Sequence, residues 1–256
     1  MVHPLVCVKR VVDATSEVVL TEDAQGVDGR YAGFTTSAHE ECAVELAVRI
    51  AADDGAATVM TLGDGDAVEQ LRAALAVGCA AATHVVADPQ AFGPADVARE
   101  IAAVVRDHEA AGTPHELVLL GNDAADTGDF QVGIRLAYEL GWPVVNGVST
   151  VSVTDGVVTA SGSGPDGHET FRLPLPAVVT VLEGGVDPRY PSVPGRMKAK
   201  KAPIEERRPT TDPVGPSRVR LVLPSPSPST VQVLGEGPAS APAVVDLFEE
   251  LGVLAR

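Results

Sequence analysis

Aromatic residues are scarce in this chain, at 4% of 256 residues, with one Trp, three Tyr and five Phe. Without large rings, the core has to be filled by Val, Ala and Leu. Such a core suits parallel strands buried on both faces under Ala-rich helices. Cysteine is scarcer still. Cys7, Cys42 and Cys79 are odd in number, widely spaced and form no CxxC. This excludes a disulfide framework and a structural zinc site, and each cysteine reads as a small buried hydrophobe. The six histidines form no HxH or HxxxH pair. No apolar run reaches the ~18 residues of a membrane span. No charged segment followed by an apolar one opens the chain, so the expected place is the cytoplasm, with no membrane insertion. Basic residues are few: 19 Lys and Arg face 35 Asp and Glu, a formal net charge of -16. That balance argues against a nucleic-acid partner and against an anionic membrane surface. GxSxG, HExxH and a local Cys/His signature are all missing. The chain reads as built to hold a ligand rather than to transform one, and not as an enzyme.

What is present alternates. Leu5 to Val8 is a short apolar strand followed by the charges Lys9, Arg10 and Asp13. Residues 17 to 34 read as a loose hairpin with turn signals at Gly26 and Asp28-Gly29. A helix starts near Ser37, carries Ala43, Val44, Leu46, Ala47 and Ile50 at helical spacing, and stops at Asp53-Asp54-Gly55. Strand 57 to 62, helix 66 to 77 with Gly78 as C-cap, strand 84 to 87, helix 94 to 108, strand 117 to 120 and helix 130 to 140 follow. That alternation predicts a right-handed α/β fold with a doubly wound, mainly parallel sheet. Extra β strands come next, at 144 to 153, 157 to 160, 169 to 173 and 177 to 181, with a hairpin turn at Asp155-Gly156. Residues 209 to 230 are rich in Pro, Ser and Thr and read as an extended C-terminal arm or linker. The last stretch, 243 to 254, is an amphipathic helix with Val244, Leu247, Phe248 and Leu251 on one side. A helix this short needs a surface to pack on, its own domain or a partner. The expected organisation is a nucleotide-binding α/β domain over 1 to 208 and an arm with a helix over 209 to 256.

In such sheets ligands bind beyond the carboxyl ends of the strands. Three loops leave those ends: the one after Val8, Gly63-Asp64-Gly65, and Gly121 to Gly133. The third contains Gly121, Asn122, Asp123, Ala124, Asp126, Thr127, Gly128, Asp129, Phe130, Gln131 and Val132, and runs into a helix N-terminus. It reads either as a polar loop with a capped helix or as a phosphate cradle. Asp123, Asp126 and Asp129 do not have EF-hand spacing and read as loop and capping groups, with no metal. Further on, Asp187 to Lys201 is stiffened by Pro188, Pro191, Pro194 and Gly195. It displays Arg189, Tyr190, Val193 and Met197, residue types favoured at interfaces. Lys198, Lys200 and Lys201 form the one concentrated basic run, either a docking patch or a solvated helix face.

These residues carry a resemblance. Leu175-Pro-Ala-Val-Val-Thr180, Pro188-Arg-Tyr-Pro-Ser192 and Pro194-Gly-Arg-Met-Lys-Ala-Lys-Lys201 resemble the signature stretch of electron transfer flavoprotein beta subunits. Val6 to Asp13, Glu45 to Arg49, Leu71 to Gly78 and Leu117 to Gly121 extend the likeness, in order, over roughly residues 4 to 208. The resemblance implies an adenine nucleotide alpha hydrolase-like, Rossmann-like fold. It implies a structural AMP in a pocket formed by Cys7, Ser37, Ala38, His39, Glu40, Leu62, Gly63 and Gly121 to Val132. It implies a heterodimer with an alpha subunit that holds the redox-active FAD and is wrapped by the C-terminal arm. It further implies electron donation by a flavin dehydrogenase of the acyl-CoA dehydrogenase type, delivery to a quinone reductase, and docking of the dehydrogenase through Arg189, Tyr190, Val193, Met197 and Lys198.

The chain departs from the family pattern in places. Ser37-Ala-His39-Glu40 stands where the family often has Asn-Pro-aromatic, which puts His39 toward the flavin of the alpha subunit. Gly63-Asp64 replaces Gly-Pro. Val132-Gly133 lacks the hydroxyl of the Thr-Gly form. A carboxylate often found near Gly162-Ser-Gly164 is missing. Val132 keeps open a bifurcating-type subunit with a second FAD in place of AMP. A stand-alone nucleotide-binding stress-type protein is the third reading.

Overall fold

The computed structural model describes residues 2–13, 15, 17–51, 55–216, 220–225 and 231–253. The predicted helix stop at Asp53-Asp54 and parts of the Pro- and Ser-rich segment lie outside these residues. The chain divides into two compact units, Met1–Leu221 and Val222–Arg256.

The first unit is built on alternating strands and helices. In chain order they are β1 (Pro4–Cys7), β2 (Val11–Val12), β3 (Phe34–Thr35), α1 (Ala38–Ala51), β4 (Thr58–Gly63), α2 (Val68–Val77), β5 (Ala81–Val86), α3 (Pro94–Ala110), β6 (Leu117–Gly121) and α4 (Val132–Leu140). Then come β7 (Val144–Val148), β8 (Thr150–Thr154), β9 (Val157–Gly164), β10 (Gly167–Pro174), β11 (Ala177–Val181), α5 (Val193–Lys201) and β12 (Glu205–Arg207). Seven strands make one sheet in the order β12-β5-β4-β1-β6-β11-β7. All its pairings are parallel. The α/β, doubly wound reading is therefore met.

Both faces of this sheet are covered, as the shortage of polar residues in its strands requires. Side chains alternate across the pleat. Val6, Val59, Leu119 and Val179 join Leu46 and Leu71 in one core layer. Their neighbours Leu5, Met60, Val118 and Val178 join Ile101, Val105 and Leu136 in the other. Gly78 and Gly141 end α2 and α4 at the predicted places, with φ of 131° and 69°. Trp142 N–H closes the second cap on Ala137 O at 2.9 Å.

The structure refines the expected pattern at four places. The strand expected over 144 to 153 is two strands: β7 belongs to the large sheet, and β8 joins β9 and β10 in a separate antiparallel sheet. Gly147, at φ 68°, lies where the chain leaves one sheet for the other. Residues 17 to 34 form the loose hairpin expected: Thr21 N–H donates to Gly26 O at 2.9 Å and Asp28 N–H to Val19 O at 2.7 Å. Their ends are gathered by the β2–β3 pair, with a single bridge between Leu20 and Val27 inside. The strand β12 carries no apolar pattern and was not expected. Finally, the start of the Pro-rich segment is laced to α3. Thr210 N–H donates to Glu100 at 2.9 Å, and Val214 and Gly215 N–H donate to Asp96 at 3.0 and 2.9 Å.

The second unit contains α6 (Ala241–Glu250), for which Pro242 sits in the first turn. None of its residues is buried. On the predicted apolar side Val244 and Leu247 are half-buried, and Phe248 and the following Leu251 are exposed.

Candidate functional site

The carboxyl ends of β1, β4 and β6 open into one cavity of about 1410 Å³, lined by residues of the first unit alone. Of the expected nucleotide residues it brings together Cys7, Glu40, Leu62, Gly63, Asn122, Asp123, Ala124, Asp126, Thr127, Asp129, Phe130, Gln131 and Val132, with Gly121 at the base of the loop. Ser37, Ala38 and His39 line a smaller adjoining cavity of about 330 Å³. Asp123 lies on both walls. Gly128 is on neither; its N–H closes the loop on Ala124 O at 2.8 Å.

The first turn of α1 is locally encoded. Ser37 and Glu40 form a capping box: Ser37 N–H donates to Glu40 Oε2 at 3.1 Å, and Glu40 N–H donates to Ser37 Oγ at 3.4 Å. Glu40 also accepts the Lys9 backbone N–H at 2.9 Å, which ties the β1 loop to α1. Burial pushes the Glu40 carboxyl up to about 7, against the pull of these hydrogen bonds. The Cys7 thiol is pushed far above its ordinary value, first by burial and then by the Glu40 charge, and is inert as a nucleophile. Gly121 allows the close approach: a Cβ there would stand 2.8 Å from Glu40 Cγ.

The cavity also holds groups that sequence reasoning passed over. The Lys9 ammonium pairs with Asp126 at 2.7 Å and joins the β1 loop to the long loop after β6. The Arg10 guanidinium stacks 3.6 Å above the Phe34 ring, a cation–π contact. Asp66 lies 3.7 Å from it, and Arg10 Nε is buried with no partner among the described residues. The signal was the pair of cations directly after the first strand. Phe130 has left-handed φ (54°) and Gln131 is right-handed. At such an alternation successive N–H groups can turn toward a common side, the backbone form of an anion-binding concavity. A free donor and such a concavity fit the phosphate of a nucleotide.

His39 is held by its surroundings. Its Nδ1 accepts the Glu183 N–H at 2.9 Å, so the neutral ring carries its proton on Nε2, 3.4 Å from Asp123. The loop expected to dock partners lies further along α1. Arg189 is committed inward: its Nε and Nη2 donate to Glu45 at 2.7 and 2.9 Å. Tyr190, Val193 and Met197 point outward, at 95%, 76% and 56% exposure. Val193 and Met197 share one face of α5, whose opposite face lies against α2; a Cβ on Gly195 would stand 2.4 Å from Ala76 O. Lys198, Lys200 and Lys201 fill the last turn of α5, where positive charge suits the helix dipole. Near Gly162-Ser-Gly164, where a carboxylate was expected to be missing, Glu169 of β10 lies directly opposite Gly162.

No described helix is long and apolar enough to cross a membrane. Among the described residues no group of three His, Cys, Asp or Glu could hold a metal.

A doubly wound parallel sheet with a large cavity at its carboxyl edge places the chain among the Rossmann-like α/β proteins. The comparisons sharpen this. The model of the electron transfer flavoprotein domain matches residues 30–212. The electron transfer flavoprotein subunit beta of Bacillus subtilis is 31% identical over 204 residues, 78% of this chain and 77% of its own. The human subunit beta is 35% identical over 210 residues, 80% of each chain. The mitochondrial subunit beta of Oryza sativa subsp. japonica is 36% identical over 208 residues, 80% of this chain and 81% of its own. The chain belongs to the electron transfer flavoprotein beta-subunit family, a family of electron-transport flavoproteins.

Proposed function

We propose that this chain is the non-catalytic partner in a heterodimer with an alpha subunit, and that it works in the cytoplasm. The heterodimer passes electrons from a flavin dehydrogenase of the acyl-CoA dehydrogenase type to a quinone reductase. Flavin held mainly by the alpha subunit supplies the redox chemistry. This chain holds AMP, forms one wall of the flavin site around His39, and presents Val193 and Met197 to the dehydrogenase. The observation that carries the nucleotide reading is the buried, unpartnered Arg10 Nε in the same cavity as the Phe130–Gln131 concavity. Arg10 and the loop N–H groups would take the phosphate. Glu40, through Lys9 and Ser37, would hold the surrounding loops in register.

A second reading, FAD in place of AMP with a bifurcating role, is favoured by size. About 1410 Å³ exceeds the ~300–1,000 Å³ usual for small-molecule sites. Val132 also supplies no hydroxyl to an AMP phosphate. The test is to co-express the chain with a neighbouring alpha subunit, denature the purified complex and quantify the released nucleotides. One FAD and one AMP per heterodimer supports the carrier reading. Two FAD and no AMP moves the assignment to bifurcation. A complex that forms with neither flavin nor nucleotide, or no complex at all, overturns both.

A further inference from the structure

One face of α1 carries three residues at i, i+3 and i+6: His39, Cys42 and Glu45. Each is bonded to the segment after β11, and the partners are also three residues apart: Glu183, Val186 and Arg189. His39 Nδ1 accepts the Glu183 N–H at 2.9 Å. Cys42 Sγ donates to Val186 O at 3.4 Å. Glu45 accepts the Arg189 backbone N–H at 3.2 Å and both prongs of its guanidinium at 2.7 and 2.9 Å. The helix and the extended segment thus run side by side as a three-rung ladder.

The rungs are unequal. The first two are single hydrogen bonds, and thiols donate weakly. The third is a charge-assisted fork-to-fork contact, the strongest type available to side chains. The Glu45 side chain is only 3% exposed, and Arg49 pairs with it from the next turn. The Arg189 and Arg49 bonds outweigh burial and hold the Glu45 carboxyl down at about 2, so the pair stays ionised at any physiological pH. Beyond Arg189 there is no comparable anchor among the described residues until Ser192 caps α5. Between these two points lies Tyr190, the most exposed large apolar residue among those described, and directly after them comes Val193.

We infer that Glu45 is the positioning residue of the docking loop. It lines neither cavity and acts through Arg189, fixing where Tyr190 and Val193 stand relative to α1. The first turn of the same helix, at Ser37, His39 and Glu40, borders both cavities. At 1.5 Å rise per residue, about 9 Å of rigid helix separates His39 from Glu45. The ladder therefore gives the docking surface and the cofactor walls one common frame. This inference rests on the proposed docking role of the loop.

The test uses the intact heterodimer and a flavin dehydrogenase that reduces the wild type. Glu45→Gln keeps the shape and removes the charge, so it leaves no buried unpaired anion. The expected result is unchanged flavin and nucleotide content and unchanged reduction by dithionite. The KM for the dehydrogenase rises at least fivefold with kcat within twofold, and amide hydrogen exchange speeds up at 187 to 192. Arg189→Lys, which keeps the charge but not the fork, shows the same rise in KM and serves if the first variant fails to assemble. The double variant is no worse than either single one, because both remove the same contact. Val193→Ala is run in parallel. If it raises KM while Glu45→Gln and Arg189→Lys do not, the positioning role is overturned and the docking loop stands. If none of the three moves KM, the docking reading itself falls, and the inference with it.

Discussion

A Cβ placed on Gly133 would stand 2.4 Å from Thr180 Cγ2. α4 is therefore seated on β11 through a bare backbone, and Thr180 Oγ1 is free to donate to Asn122 at 2.8 Å. The loop from Gly121 to Val132 hangs between these two points. Gly133→Ala is expected to push α4 outward, costing about 1–3 kcal/mol of stability by overpacking. The loop is expected to lose its register. Nucleotide released per heterodimer should fall several-fold in this variant while the fold is kept. A full complement of nucleotide would detach α4 seating from ligand binding.

Glu40 makes stability depend on pH in an unusual direction. Its carboxyl is pushed up from 4.5 to about 7 by burial. Between those values the unfolded chain has lost the proton and the folded one still holds it. Stability therefore falls as pH rises from about 4.5 to 7 and is level above, a loss of roughly 3 kcal/mol in all. Glu40→Gln should abolish this slope. Denaturant midpoints of both proteins at pH 5 and pH 8 measure it, and parallel curves would show that Glu40 is not the group responsible.

His115 works the other way. Burial lowers it below 6.5, helped by the neighbouring charge of His108. A neutral imidazole in the folded state contributes stability that is present above 6.5 and lost as pH falls toward the lowered value. The ring sits in a chain of contacts. Its Nδ1–H donates to His3 O at 3.0 Å, and its Nε2 meets His108 Nδ1 at 2.9 Å. His108 Nε2 meets Glu205 at 2.9 Å. His115→Asn should remove the acid-side loss that begins below pH 6.5, read from melting temperatures taken from pH 7 down to pH 5.5. Combined with Glu40→Gln, it should leave melting temperature nearly flat over that interval. A persistent acid-side slope in the double variant would point to other groups.

α6 buries none of its own residues. If its apolar face is covered by the alpha subunit, Phe248→Asp removes ~1.5–3 kcal/mol of burial and adds a charge. Association with the alpha subunit should weaken at least tenfold, while the circular dichroism of the isolated chain stays the same. Undiminished co-elution of the two subunits would place the interface elsewhere.

The sequence showed most of the scaffold because the scaffold is made of local signals. Apolar strands followed by Gly63-Asp64-Gly65 and by the Gly121 loop marked the carboxyl edge. Gly78, Gly141 and Pro94 marked helix ends. What stayed hidden depends on contacts distant in sequence. β12 has no apolar residue and is held by Thr83 and His108, both bonded to Glu205. Asp96 and Glu100 are buried on α3 and catch backbone N–H groups more than 100 residues away, contacts that no local pattern announces. Arg189 read as an interface residue; its inward commitment to Glu45 could be seen only with α1 beside it. Lys9 and Arg10 were visible as charges, but their role at the cavity needed Asp126 and Phe34 in place.

The large sheet ends on one side in Glu205, Glu206 and Arg207, and on the other in β7, where Gly147 has a φ of 68° and the register with β11 shifts. A rim of three charges and a rim of irregular register are poor templates for a further strand. The large sheet, with its Val-rich strands, is thereby protected from growing strand by strand through its edges. The same shielding closes off strand addition as a way for other proteins to bind this sheet.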